Sequence, residues 1–200
     1  MLFEIAEYIG IISFSLSGFY IAVRNNLDIL GVFISAFLTA LGGGIIRDTI
    51  ASKLPVSLMS YTPMLIVVVM VMILLLLKFH QKHGFDRKPI FVFIDSIGLV
   101  SFSISGALVA IESHFSIAGV IILSFITAVG GGISRDILIN QVPYVLKGGF
   151  YGIISIIIGV MVNLLAFFKI LNFSSLLCLL IFGITLRWIA FSKNWKLHSF

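Results

Sequence analysis

Thr39 to Asp48 reads TALGGGIIRD, and Thr127 to Asp136 reads TAVGGGISRD. The two stretches lie 88 residues apart, and the same shift carries SFSLSG (Ser13 to Gly18) onto SFSISG (Ser101 to Gly106). Pro55 falls on Pro143, Gly31 on Gly119 and Gly10 on Gly98. Residues 3–58 and 91–146 share 24 identities in 56 positions without an insertion. A shared apolar bias explains matched Ile and Phe. It does not explain GGG-x-x-RD twice in register, so the chain contains an internal repeat.

The sequence around these motifs is apolar at 60% and charged at 10%, against the roughly 25% charge of a soluble domain. So much apolar surface cannot be hidden inside a 200-residue globule. Disorder is excluded as well, since it needs low hydrophobicity and high charge. What remains is an all-α, polytopic membrane protein. Seven apolar segments are visible, at about 3–23, 27–52, 63–79, 90–111, 115–139, 148–168 and 172–191. Each repeat therefore holds three spans. An odd number of spans makes the second copy start on the opposite side, so the expected fold is two inverted three-helix repeats plus a seventh helix. The expected division is 1–88 for the first repeat, 89–170 for the second, and 171–200 for the seventh helix with its tail.

The net charge of +5 comes from basic residues scattered between apolar runs. They read as determinants of topology and not as a nucleic-acid surface. Ten Lys and Arg residues, Arg187 among them, fall on the side of the C-terminus and three on the other. The expected orientation is N-terminus outside and C-terminus cytoplasmic. The start, MLFEIAEYIGIISF, lacks a basic region and reads as a retained span. Cys178 is the only cysteine, which excludes an intramolecular disulfide. His80 and His83 read as solvated loop residues, so no metal site and no cofactor are expected. No nucleophile–base set or phosphate loop suggests an enzyme.

The repeated motifs are the candidate site. Gly42, Gly43 and Gly44, with Gly130, Gly131 and Gly132, each cost a helix about 1 kcal/mol relative to alanine. One reading is a broken second and fifth helix whose freed carbonyls line an aqueous path and attract cations. The other is close helix packing on small residues. Arg47, Asp48, Arg135 and Asp136 are costly inside spans and so face protein or water. They are candidates for pore mouths and gates, or for structural ion pairs; neighbours on a helix point about 100° apart, so an Arg need not pair with its own Asp. Ser13, Ser17, Ser101 and Ser105 read either as a hydroxyl wall or as packing residues bonded back to their own helix. Thr39 and Thr127, just before the triplets, carry the same two readings. Glu7 and Asp95, equivalent under the repeat, read as interfacial carboxylates near helix starts.

With the doubled GGG-x-x-RD and the doubled SFSxSG in hand, the chain resembles the prokaryotic branch of the trimeric intracellular cation channel (TRIC) family. Such sequences also go under the heading of a glycine-transporter domain of uncharacterised membrane proteins. The resemblance covers about 1–190. It implies a homotrimer among the lipids of a prokaryotic inner membrane, with a pore in each protomer lined by the second and fifth spans. The implied permeant is a monovalent cation, chiefly potassium and also sodium, through a path bordered by the glycine triplets and the Arg–Asp pairs. Animal members hold a phosphoinositide through a lysine beside the kink. Arginine–aspartate stands there in this chain, so that property is not carried over. The alternative function is a secondary transporter of a small solute such as glycine.

Overall fold

A computed structural model describes residues 2–79, 88–147 and 150–195. The His80 and His83 loop lies outside these residues. Among the described residues the chain is all-helical: α1 (Leu2–Arg24), α2 (Ile29–Ile50), α3 (Val56–Met59), α4 (Tyr61–Leu76), α5 (Lys88–Glu112), α6 (Ile117–Leu138), α7 (Tyr144–Lys147), α8 (Tyr151–Phe167) and α9 (Phe173–Ser192). Five of these, α1, α2, α5, α6 and α9, are long and apolar enough to cross a membrane. The expected third and sixth spans correspond to α4 and α8, which are apolar but only 16 and 17 residues long. At ~1.5 Å per residue they reach about 25 Å, a little short of the ~30 Å hydrocarbon core. The one-turn helices α3 and α7 precede them.

Local chemistry sets the boundaries in matched pairs. Asp28 caps α2 by accepting the Gly31 N–H at 2.7 Å, and Ser116 caps α6 by accepting the Gly119 N–H at 3.2 Å. Asn26 and His114 follow α1 and α5 with φ of 53° and 57°. Ser52 and Asn140 follow α2 and α6, both at 56°. These left-handed residues stop the helices where glycine would be usual. Asn172 and Ser175 form a reciprocal capping box at the start of α9.

The expected break at the glycines is absent. α2 runs as one helix through Gly42–Gly44, and α6 through Gly130–Gly132. Their peptide groups stay in the helical ladder, so no carbonyls are freed there. The missing side chains serve close approach instead. A Cβ on Gly43 would collide with the Thr127 carbonyl oxygen, and one on Gly131 would collide with that of Thr39. A Cβ on Gly42 would come within 3.2 Å of Gly131 Cα. The triplets are where α2 and α6 touch backbone to backbone.

α1 crosses α5 with the same reciprocity. Phe102 covers Gly10, Phe14 covers Gly98, and the two rings sit 5.2 Å apart. Around this centre α1 meets α2 and α4, while α5 meets α6 and α8. α9 packs on α5 and α8, and so lies against the second half of the chain. Polar groups such as Ser15, Ser35, Thr39, Ser103 and Ser124 are buried, while Leu58, Met59, Leu76, Leu146 and Phe167 are exposed. Polar inside and apolar outside is the distribution that lipid favours.

A candidate charged vestibule and its closed counterpart

The motif arginines sit one helical turn beyond the glycine contact, which carries their side chains to opposite ends of the α2–α6 pair. Arg47 is wholly buried. It donates from Nε to Asp48 Oδ1 at 2.7 Å and from Nη1 to Glu7 Oε2 at 2.5 Å. Nη2 donates to Glu7 Oε1 at 3.2 Å. Ser105 on α5 accepts from Nη1 at 2.5 Å and donates to Glu7 Oε2 at 2.6 Å. The ring of Phe3 lies 4.9 Å below the guanidinium. Two carboxylates and a hydroxyl thus surround one cation, the arrangement a buried charge requires. Asp48 also accepts the Val56 N–H at 3.0 Å, which ties the end of α2 to the start of α3.

Arg135 repeats only part of this. It reaches Asp136 Oδ1 from Nε at 2.9 Å and from Nη2 at 2.8 Å. Asp136 accepts the Tyr144 N–H at 2.8 Å, the counterpart of the Val56 bond. Both arginines therefore pair with the adjacent aspartate after all. The long guanidinium arm curls around the helix and cancels the difference in direction between neighbours. The third partner differs, because Arg135 Nη1 donates to Thr39 Oγ1 at 3.3 Å. Asp95, which stands where Glu7 stands, accepts from Ser17 Oγ at 2.8 Å. Among the described residues no ion pair joins Asp95 to Arg135.

A cavity of about 210 Å³ lies beside the second arginine, walled mostly by the second half with Phe14, Ile21 and Thr39 of the first. Asp95, Gly132, Arg135, Asp136 and Tyr151 line it, as do Gln141, Tyr144 and Lys147. Charged and polar side chains stand among its apolar walls, and it is far larger than the ~10–15 Å³ a water molecule needs. Arg187 of α9 approaches from behind. It donates from Nη2 to the Tyr144 hydroxyl at 3.0 Å and stacks 5.2 Å from the Tyr151 ring, while its buried Nε has no partner. Tyr151 lines the same cavity as Asp95.

Several expectations change here. Glu7 and Asp95 are covered by protein; each is only 6% exposed. Ser17 and Ser105 bind those carboxylates across the α1–α5 contact. Thr39 and Thr127 bond back to Ser35 O and Leu123 O, each at 2.6 Å. Ser13 and Ser101 are buried, and Ser101 Oγ has no partner beside an apolar groove lined by Ile5, Ile104 and Leu176. Arg187, counted with the flanking charges, is buried within α9. Its position in a terminal apolar helix was the available signal, since a charge there faces protein or water. Tyr144 and Tyr151 had no sequence signal, because Val56 and Pro63 occupy their places in the first repeat.

The comparisons with known proteins agree along the whole chain. The family model described as Glycine transporter matches residues 4–81 and 92–167. The UPF0126 membrane protein YvgT of Bacillus subtilis is 34% identical, over 100% of this chain and 96% of its own length. A solved structure described as the structural basis for conductance through TRIC cation channels superposes with a TM-score of 0.87 at 33% identity, covering 100% of this chain and 98% of that one. A prokaryotic TRIC channel crystallised in 0.5 M KCl gives a TM-score of 0.88 at 27% identity, over 98% and 99% of the two chains.

Proposed function

This chain belongs to the TRIC cation channel family, and on that premise we propose that it is a passive, potassium-permeable channel with a path inside each protomer. The observation that carries the reading is the full-length likeness to a TRIC cation channel, with the buried charges at the points where a path would narrow. The cavity of the second half is the vestibule from one side. The Glu7–Arg47–Ser105 cluster closes the other end. The packed glycine crossing lies between them, and conduction requires α2 and α6 to part there or beside it. Arg47, Asp48, Arg135 and Asp136 are then both clamps and gate, with Ser17, Ser105, Thr39 and Thr127 as polar lining and Ser13 and Ser101 further along α1 and α5.

The same reading takes 1–88 and 89–170 as inverted repeats and 171–200 as the added helix, with α4 and α8 completing seven spans. The reciprocal contacts of Gly43 with Thr127 and of Gly131 with Thr39 are what a pseudo-two-fold axis between α2 and α6 would produce. A homotrimer follows from the family. The distribution of Lys and Arg supports a cytoplasmic C-terminus. Selectivity for potassium over sodium rests on the resemblance.

One observation favours a second reading, transport of a zwitterion such as glycine: Asp95 and Arg135 line one small cavity without pairing. Proteoliposomes separate the two. A channel releases trapped potassium at a rate set by the electrical shunt and shows no counterflow of labelled glycine. Saturable glycine counterflow without electrogenic potassium release would replace the channel with a transporter.

A further inference from the structure

We infer that the length of the carboxylate side chain at positions 7 and 95 decides which half of the protein is closed and which holds an open vestibule. The two positions are equivalent under the repeat, and each acid is held by the equivalent serine, Glu7 by Ser105 and Asp95 by Ser17. Each faces an arginine paired with its own aspartate. The repeat-related difference at the acid itself is one methylene, about 1.5 Å of reach. With that methylene, Glu7 bridges α1 to Arg47. Without it, Asp95 stays on its serine, and Arg135 turns to Thr39 instead.

The glycines record the same difference independently. A Cβ on Gly44 would lie 3.1 Å from Glu7 Oε1, so the carboxylate fills the space above that glycine. A Cβ on Gly132 would meet only Arg135 Nη2, at 3.8 Å. Gly132 lines the cavity, and the space above it is free of the carboxylate that covers its counterpart. Asp95 is a positioning residue: its shortness withholds an ion pair that would otherwise draw α5 and α6 together across the cavity. Tyr151, at the cavity, and Arg187, which stacks on its ring at 5.2 Å, have no counterparts in the first half. The consequence for flux rests on the channel reading; the consequence for cavity access does not.

The test exchanges acid lengths and reads access and current separately. Gly132→Cys and Gly44→Cys are made in a Cys178→Ser background, which removes the only native thiol. Modification by a small cationic thiosulfonate reports access to each half. Asp95→Glu is expected to slow modification at position 132 by about tenfold, the size of effect one new charge-assisted bond gives. Asp95→Asn, of equal length and no charge, leaves it within about twofold. Glu7→Asp is expected to speed modification at position 44 by about tenfold. The cavity gives the extra methylene of Asp95→Glu room, so this variant is expected to fold, as monodisperse protein on gel filtration would report. In planar bilayers Asp95→Glu lowers the unitary potassium current several-fold. Unchanged access at position 132 in Asp95→Glu overturns the inference, as does slowed access in Asp95→Asn. If access follows acid length while the wild type passes no current, the inference stands and the channel reading falls.

Discussion

The two halves of this protein hold the same arginine in different company. In the first, Arg47 is enclosed by Glu7, Asp48 and Ser105 and is wholly buried. In the second, Arg135 keeps Asp136, loses the long acid, and borders a cavity of about 210 Å³. The same motifs recur in both copies while the residues around them differ, so that one arginine sits in a closed ion-pair cluster and the other beside a cavity. The GGG-x-x-RD motif fixes where α2 and α6 meet and where their charges emerge. The residues facing it from α1, α5 and α9 differ between the halves, so that one buried Arg–Asp pair meets a second carboxylate and the other borders a cavity.

The largest effect is expected where the halves are alike. Gly43→Leu and Gly131→Leu each drive a side chain into a backbone carbonyl of the partner helix, and both should abolish flux while leaving the protein inserted in the membrane. Even Gly43→Ala and Gly131→Ala should cost about 3 kcal/mol, the upper range for overpacking, as a lowered Tm in detergent. Tolerance of either alanine would mean that α2 and α6 do not rely on this contact.

A smaller effect should separate the halves. Glu7→Gln strips a buried arginine of one of its two carboxylates and should cost about 3 kcal/mol. Asp95→Asn removes a carboxylate that forms no ion pair among the described residues and should cost about 1 kcal/mol or less. Equal losses of Tm in the two variants would erase the proposed asymmetry.

Smaller still is the contrast between the third glycines. Gly44→Ala pushes against the Glu7 carboxylate and should be destabilising by about 1 kcal/mol. Gly132→Ala enters open space, and the better helix propensity of alanine should make it neutral or stabilising by up to ~1 kcal/mol. The smallest effect belongs to the exposed staple between Lys53 and Glu112, 2.6 Å long at the end of the bundle. Lys53→Ala should change stability by less than about 1 kcal/mol, and less again in high salt.

Much of this was legible in the sequence. The repeat, the membrane class, the helical segments and the recurrence of Arg–Asp beyond the glycines follow from spacing and composition. The continuity of α2 and α6 through their glycines was not legible. Whether GGG breaks a helix depends on what packs against it, and here a partner backbone fills the space left by the missing side chains. The burial of Glu7 and Asp95 was not legible, because nearness to a helix start does not reveal a neighbouring helix lying over them. Arg187 reads as one more flanking charge by sequence, and its tyrosine partners come from segments more than 35 residues earlier in the chain. The vestibule itself was hidden, since a single methylene between Glu and Asp is invisible to any pattern of hydrophobicity or charge sign.

The most direct test is single-channel recording of the purified wild-type protein in a planar bilayer under a KCl gradient, followed by replacement of potassium with sodium on one side. The account predicts discrete unitary steps that reverse towards the potassium equilibrium potential and persist, at altered size, with sodium. Reversal at the chloride potential, or the absence of unitary steps from protein shown to be folded and inserted, would contradict it.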